Sequence, residues 1–379
     1  MASRSSAPRD VEDPPADGLL AGVRVLDLSI WRPGPYATQL LAELGADVIK
    51  VEPPGGDPMR AYAGLFASLH ADKRSVEVDL KSETGRRRVL DLARDADVVI
   101  EGFRPGVAAR LGVGWDDVRA VQPSIVYCSV SGLGQDGPLA QAPGHDLNYV
   151  AWSGALAPEG GPPVTPAVPV ADLSGGLAAA FAICAALLRC ARTGEGERID
   201  VSMTSVLATW TGAVAPRADE VEAERTRTSS TSTTRGVAGY GTFRTSDGGW
   251  IALGVLTEDH FWAPLCRALG LDDAAGLGFV DRTARLDELR ERLAVAIAAR
   301  GRDELVADLL DAGVPAAPVL SRDEMVELEH LRVQQAVTAH PWADPATGYP
   351  VRLQHHPAAR HRPPPALDEH HDARWRDRP

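Results

Sequence analysis

Short apolar runs and Gly/Pro turns alternate in a repeating order through the first third of the chain. Val23-Arg24-Val25-Leu26-Asp27-Leu28 is a short run dominated by aliphatic residues, the mark of a buried strand. Gly34-Pro35 then opens a segment with apolar residues at Ala37, Leu40, Leu41 and Leu44, the spacing of one helix face, and Gly45 stops it. Asp47-Val48-Ile49-Lys50-Val51-Glu52 reads as the next strand. Strand, turn, helix, glycine stop and strand is how a chain feeds a parallel sheet. The order recurs in a helix over residues 84–93 and in strands over 97–101 and 125–129.

Farther along, one long helix spans 173–192 and stops at Gly194, and residues 199–202 begin another segment of sheet or helix. The charged, then Ser/Thr-rich stretch 217–235 reads as a flexible linker or lid. Beyond it, 241–244 and 250–253 flank Ser246-Asp247-Gly248-Gly249, a hairpin signature, and amphipathic helices follow near 258–269 and 285–300. The predicted class is α/β, with a disordered N-terminus over 1–18 and a large open, Rossmann-like α/β domain over 19–216. A linker over 217–236, a small α/β domain over 237–325, and a C-terminal linker and tail over 326–379 that returns to the large domain complete it.

Composition narrows the function classes. The 379 residues are 44% hydrophobic and 24% charged, ordinary for a globular chain long enough for more than one core. A formal net charge of −13 argues against nucleic acid or an anionic membrane as the main partner. The four cysteines (Cys128, Cys184, Cys190, Cys266) are scattered in apolar surroundings, which fits a reducing compartment, and the expected localisation is cytoplasmic. Residues 1–17 lack the apolar core of a secretory signal, and the apolar stretch 177–188 is shorter than a bilayer span, so no membrane role is expected.

Candidate chemistry lies on loops. No Walker loop or GxGxxG follows the first strand, although Gly34-Pro35 opens a helix whose first amides suit a phosphate. Gly144-His145-Asp146-Leu147-Asn148-Tyr149 sets an imidazole beside a carboxylate after a Pro-Gly turn, a place for an acid/base group. Asp172 directly precedes Leu173-Ser174-Gly175-Gly176 and the long helix. It reads either as a plain N-cap or as a group at a positive helix end suited to an enolate or oxyanion, the two glycines admitting a substrate to the backbone. The tail histidines His355, His356, His361, His370 and His371 lack metal-ligand spacing and read as a solvated tail, so no metal is expected.

A wider pattern then emerges. Gly22-Val23-Arg24-Val25-Leu26-Asp27-Leu28, Gly34-Pro35, the run from Leu44 to Glu52, Asp72-Lys73-Arg74-Ser75, Glu101-Gly102-Phe103-Arg104-Pro105-Gly106, Ser131-Gly132-Leu133-Gly134, Ala171-Asp172, Arg192-Thr193-Gly194-Glu195-Gly196 and Gly313-Val314-Pro315-Ala316-Ala317-Pro318-Val319 occur in order. Together they resemble the family III CoA-transferases (CaiB/BaiF), a group that includes α-methylacyl-CoA racemase, over about residues 18–365. The resemblance implies a large and a small domain joined by two linkers, and an interlocked homodimer. It also implies an acyl-CoA substrate, with no cofactor beyond the coenzyme A that the substrate carries. Lys50, Lys73, Arg74 and Arg104 fall in its CoA-binding stretches, and Asp172 matches its catalytic aspartate.

The two branches of the family use that aspartate differently. In a transferase it is a nucleophile that becomes an aspartyl anhydride and an aspartyl-CoA thioester. In the racemase it is one of two acid/base groups flanking an α-carbon. The stretch from Gly144 to Tyr149 resembles the racemase branch, whose histidine is the partner base. Leu253-Gly254-Val255-Leu256-Thr257-Glu258-Asp259-His260-Phe261 resembles, with one residue inserted, the stretch whose glutamate supports that base. Gly313 to Val319 is more transferase-like. On sequence, racemase-type proton transfer by His145 and Asp172, supported by Glu258, is placed first. CoA transfer through Asp172 is the alternative, and a non-catalytic CoA-binding protein stands behind both.

Overall fold

In the computed structural model, which describes residues 18–156, 162–211 and 237–378, the βαβ order becomes a six-stranded sheet. The strands are β1 (Arg24–Asp27), β2 (Asp47–Glu52), β3 (Arg74–Glu77), β4 (Val98–Glu101), β5 (Val126–Ser131) and β6 (Glu197–Ser202). They lie side by side as β3-β2-β1-β4-β5-β6, every pair parallel. Between them run α1 (Pro33–Glu43), α2 (Ala63–His70), α3 (Glu83–Ala93), α4 (Val107–Arg110), α5 (Trp115–Val121), α6 (Asp146–Trp152) and α7 (Val170–Thr193), with α8 (Met203–Trp210) after β6.

Strand side chains alternate between faces, so each strand feeds two cores. Val25, Val48, Val98 and Val126 pack with Ala37 and Leu41 of α1 and Ala179 and Ile183 of α7. Leu26, Ile49, Val99 and Tyr127 face the other way, onto Val89 and Leu92 of α3. Because both faces are covered, β1, β2, β4 and β5 read as largely apolar runs, which is why they were legible in sequence. The edge strand β6 is mostly exposed and polar, and its segment reads as either sheet or helix. The strand β3 was not legible, since Arg74-Ser75-Val76-Glu77 is polar. It lies at an edge, and the tail covers it: His370 N donates to Ser75 O (3.0 Å) and Glu77 N donates to Asp368 Oδ1 (2.8 Å). Ala373 joins the core beneath α3, and Trp375 Nε1 donates to Leu92 O at 2.8 Å. The end of the tail is therefore packed rather than solvated, although His355 and His356 remain exposed.

The helix α7 runs for 24 residues, longer than its apolar stretch suggested, and by length and composition it could cross a membrane. Its buried Ala171, Gly176, Ala179 and Ile183 line the core instead.

The chain divides into two compact units. The sheet belongs to the one formed by Met1–Ala157, Pro163–Ala213 and Leu328–Pro379; Pro158–Pro162 and Val214–Glu327 form the other. In the second, β7 (Tyr240–Arg244), β8 (Trp250–Gly254) and β9 (Ala316–Pro318) make an antiparallel sheet packed on helices that include Asp259–Ala268, Leu286–Ala298 and Arg302–Asp311. The β7–β8 turn is fixed by Asp247, whose carboxylate accepts from Thr245 Oγ1 (2.6 Å) and Gly249 N (3.1 Å). The linker expected over 217–236 and the N-terminal residues 1–17 lie outside the described residues.

Candidate active site

In a doubly wound sheet of this order the chain reverses direction between β1 and β4, leaving a crevice beyond their carboxyl ends. A cavity of about 540 Å³ opens there, in the range of small-molecule sites. Its walls include Trp31 and Arg32 after β1, Arg104 after β4, His145 and Tyr149 of the α6 region, and Asp172 of α7.

The loop after β1 is held from beneath. The buried Asp27 carboxylate accepts from Ser29 N (3.0 Å), Ser29 Oγ (2.5 Å) and Thr38 Oγ1 (2.5 Å). Burial alone would raise the Asp27 carboxyl, but Lys73, Lys50 and the two hydroxyls hold it below its ordinary value. Lys73 Nζ donates to Pro35 O (2.9 Å) and Thr38 Oγ1 (2.7 Å) and pairs with Asp27 at 3.3 Å. Lys50 Nζ donates to Ser29 O and pairs with Asp57, both at 2.9 Å. Above this network Trp31 adopts φ 62°, a left-handed backbone that bulky residues rarely take.

The opposite wall is built on glycines. An added Cβ at Gly132 would lie 2.0 Å from the Tyr149 ring, and one at Gly144 2.7 Å from it. Only glycine leaves room for that ring, whose hydroxyl donates to Gly144 O at 2.6 Å and fixes the turn before His145. His145 is the N-cap residue of α6, its own N–H donating to Asn148 Oδ1 at 3.0 Å, and its imidazole is exposed.

Asp172 is not the N-cap of its helix. Pro169 holds that place, and Asp172 sits in the first turn, where its main-chain N–H has no partner within the helix. Asp146 Oδ1 accepts that N–H at 3.0 Å. Burial first, and then the neighbouring Asp146 carboxylate, push the Asp172 carboxyl up to about 6, against the pull of Arg32 and His145. The glycines that follow serve packing rather than substrate access. A Cβ at Gly175 would meet Met203 Cγ at 2.5 Å, and one at Gly176 would meet Pro33 O at 2.6 Å.

The structure thus gathers Asp172, His145 and Arg104 around one cavity. Of the four cations expected to meet CoA phosphates, Lys50, Lys73 and Arg74 face inward instead. Lys50 and Lys73 are buried among the partners above, and Arg74 pairs with Asp47 at 2.6 Å beneath the Arg374 carbonyl. Strand alternation and the returning tail put them there. Glu258 belongs to the second unit, where its carboxylate accepts from Leu256 N at 2.9 Å. Among the described residues no group of three metal-ligating side chains occurs. Sequence reasoning missed Arg32, whose signal was its place between the first strand and the helix-opening Pro-Gly-Pro. It also missed the capping role of Asp146.

A partly buried carboxylate held near neutrality, with arginines on the same cavity wall and a doubly wound sheet beneath, is the arrangement of an enzyme. Comparison with known sequences places that enzyme: the profile of CoA-transferase family III matches residues 20–371, and the chain belongs to that family. It is 34% identical over 377 residues to a mouse (Mus musculus) succinyl-CoA:glutarate CoA-transferase, covering 93% of this chain and 84% of the relative. It is 32% identical to an acetyl-CoA:oxalate CoA-transferase of Acetobacter aceti, covering 94% and 93%. Among solved structures, a CaiB/BaiF family protein from Brucella suis superposes with a TM-score of 0.81 at 29% identity, covering 94% of this chain and 98% of that one.

Proposed function

We propose that this protein moves coenzyme A between carboxylic acids through covalent intermediates on Asp172. The observation that carries the reading is the Asp172 carboxyl, set into the cavity and raised to about 6, so that it is chiefly ionised yet poorly solvated at neutral pH. A carboxylate in that state is a competent nucleophile. Its oxygen attacks the acyl-CoA carbonyl, the C–S bond breaks, and CoA leaves as the thiolate with an acyl-aspartyl anhydride behind. The thiolate then attacks the aspartyl carbonyl, releasing the donor carboxylate and leaving an aspartyl-CoA thioester. An acceptor carboxylate repeats both steps in reverse, and Asp172 is regenerated. No proton is consumed and no cofactor is required beyond the CoA of the substrate. Arg104, exposed at the cavity wall, is suited to an anionic part of that CoA.

This reverses the order drawn from sequence, which put racemase-type proton transfer first. The relatives above are named as CoA-transferases. The His145 imidazole makes no hydrogen bond with another described residue, whereas a two-base mechanism needs an oriented base. The homodimer remains part of the proposal. The outer face of α7 leaves Leu177, Phe181 and Leu188 exposed, an apolar stripe that a second copy would cover.

The deciding experiment incubates the enzyme with acyl-CoA alone and traps it with borohydride or hydroxylamine. Modification of Asp172, lost in Asp172→Asn, is expected, with His145→Ala costing only about tenfold in transfer. Exchange of an α-proton in deuterated water that depends on both residues, with no trapped adduct, would restore the racemase reading.

A further inference from the structure

We infer that Arg32 reads a second carboxylate of the substrate acid, so that the site selects dicarboxylic acids. The inference rests on the transferase reading of Asp172. Arg32 lines the same cavity as Asp172 and is half-buried. Its guanidinium makes no hydrogen bond or ion pair among the described residues, unlike Lys50, Lys73 and Arg74, which are spent on internal partners. The same cavity is lined by apolar Ile30, Pro33, Met59 and Leu65, which offer an anion nothing, so its recognition there falls to the cations of the wall. A cation in such a setting, with all its donors unused, is poised for an anionic ligand.

Position along the substrate identifies which anion. Pro33, next to Arg32, sets its carbonyl against Gly176, one turn along α7 from Asp172, and Arg32 and Asp172 line one cavity with no ion pair between them. It therefore stands at the thioester end of the cavity, whereas the phosphates of CoA lie at the far end of a long pantetheine arm. The reacting carboxylate must touch the Asp172 carbonyl carbon itself. A group just beyond contact with Asp172 meets the next polar group of the same small acid, and the planar fork of a guanidinium matches a carboxylate there. The mounting is rigid: Trp31 is fixed at φ 62° on one side and Pro33 on the other, over the Asp27 network.

The test uses the full-length enzyme at pH 8, where Asp172 is ionised with or without Arg32. Wild type, Arg32→Met and Arg32→Lys are charged to completion with succinyl-CoA, and the isolated aspartyl-CoA enzymes are then reacted with glutarate or with valerate. Arg32→Met is expected to lose about tenfold to a hundredfold in the second-order rate with glutarate and little with valerate, Arg32→Lys falling between. Equal losses toward both acids, or no loss toward either, would overturn the role of Arg32 while leaving the transferase reading intact. A wild type that never becomes charged would overturn the transferase reading itself. Charging of each variant also shows that its fold and nucleophile survive.

Discussion

The main-chain N–H of Asp172 donates to the carboxylate of Asp146 at 3.0 Å, so the first turn of α7 is capped by a residue from α6. The contact fixes Asp172 in the cavity and at the same time sets a negative charge beside its carboxyl. That charge, after burial, is the second cause of its raised pKa.

Because the nucleophile must be ionised, kcat/KM for acyl-CoA should fall on the acid side with an apparent pKa of about 6. Asp146→Asn keeps an acceptor for the Asp172 N–H but removes the charge, so its acid limb should move to lower pH. Asp146→Ala leaves the N–H uncapped and should cost about 1 kcal/mol of stability. A pH–rate profile of the three proteins checks both statements; an acid limb that does not move in Asp146→Asn would remove Asp146 from the account.

The same shift bears on stability. A carboxyl at about 6 in the folded protein and 3.8 in the unfolded one binds more protons when folded, so stability contributed by the protonated form is lost as pH rises from about 3.8 through 6. Above that window the ionised Asp172 costs at most about 3 kcal/mol. Asp172→Asn should therefore be inactive yet melt higher than wild type at pH 8, with the difference shrinking toward pH 4. Thermal melts across pH give the answer.

Lys73 and Arg104 should fail in opposite ways. Lys73→Met strips a fully buried partner from Asp27 and should cost about 3 kcal/mol of stability with KM for acyl-CoA little changed. Arg104→Ala should leave the melting temperature alone and raise that KM far more than it lowers kcat, the signature of uniform binding. A large rise in KM from Lys73→Met in a stably folded protein would return that lysine to the CoA site.

Gly176→Ala should destabilise by about 1 to 3 kcal/mol, because its Cβ would press on the Pro33 carbonyl at 2.6 Å and backbone cannot yield cheaply. Gly175→Ala should be milder, since Met203 is a flexible side chain. Paired denaturation curves decide; equal effects would mean that α1 moves freely against α7.

The strands β1, β2, β4 and β5 and the helices α1, α3 and α7 could be read from the sequence because their determinants are local. A run such as Val25-Leu26 is buried whichever neighbour it finds, and Gly45 or Gly194 ends a helix wherever the helix lies. Asp172 and His145 stood out as polar residues punctuating such runs, and Arg104 through the family resemblance, and the three line one cavity. Burial and pairing were not, because they depend on residues far apart in the chain. Lys50, Lys73 and Arg74 carry the same charge as Arg104, yet Asp57, Asp27 and Asp47 claim them inside the sheet. The strand β3 needed the tail, some 290 residues on, to cover its edge. Arg32 stood outside every motif, and only the meeting of β1, α6 and α7 at the switch point brought it to the cavity of Asp172. Sequence thus settled four of the six sheet strands, β1, β2, β4 and β5, and which carboxylate lies at the sheet's mouth. Tertiary structure alone decided which cations remain free to meet a substrate, because desolvation and pairing act through space.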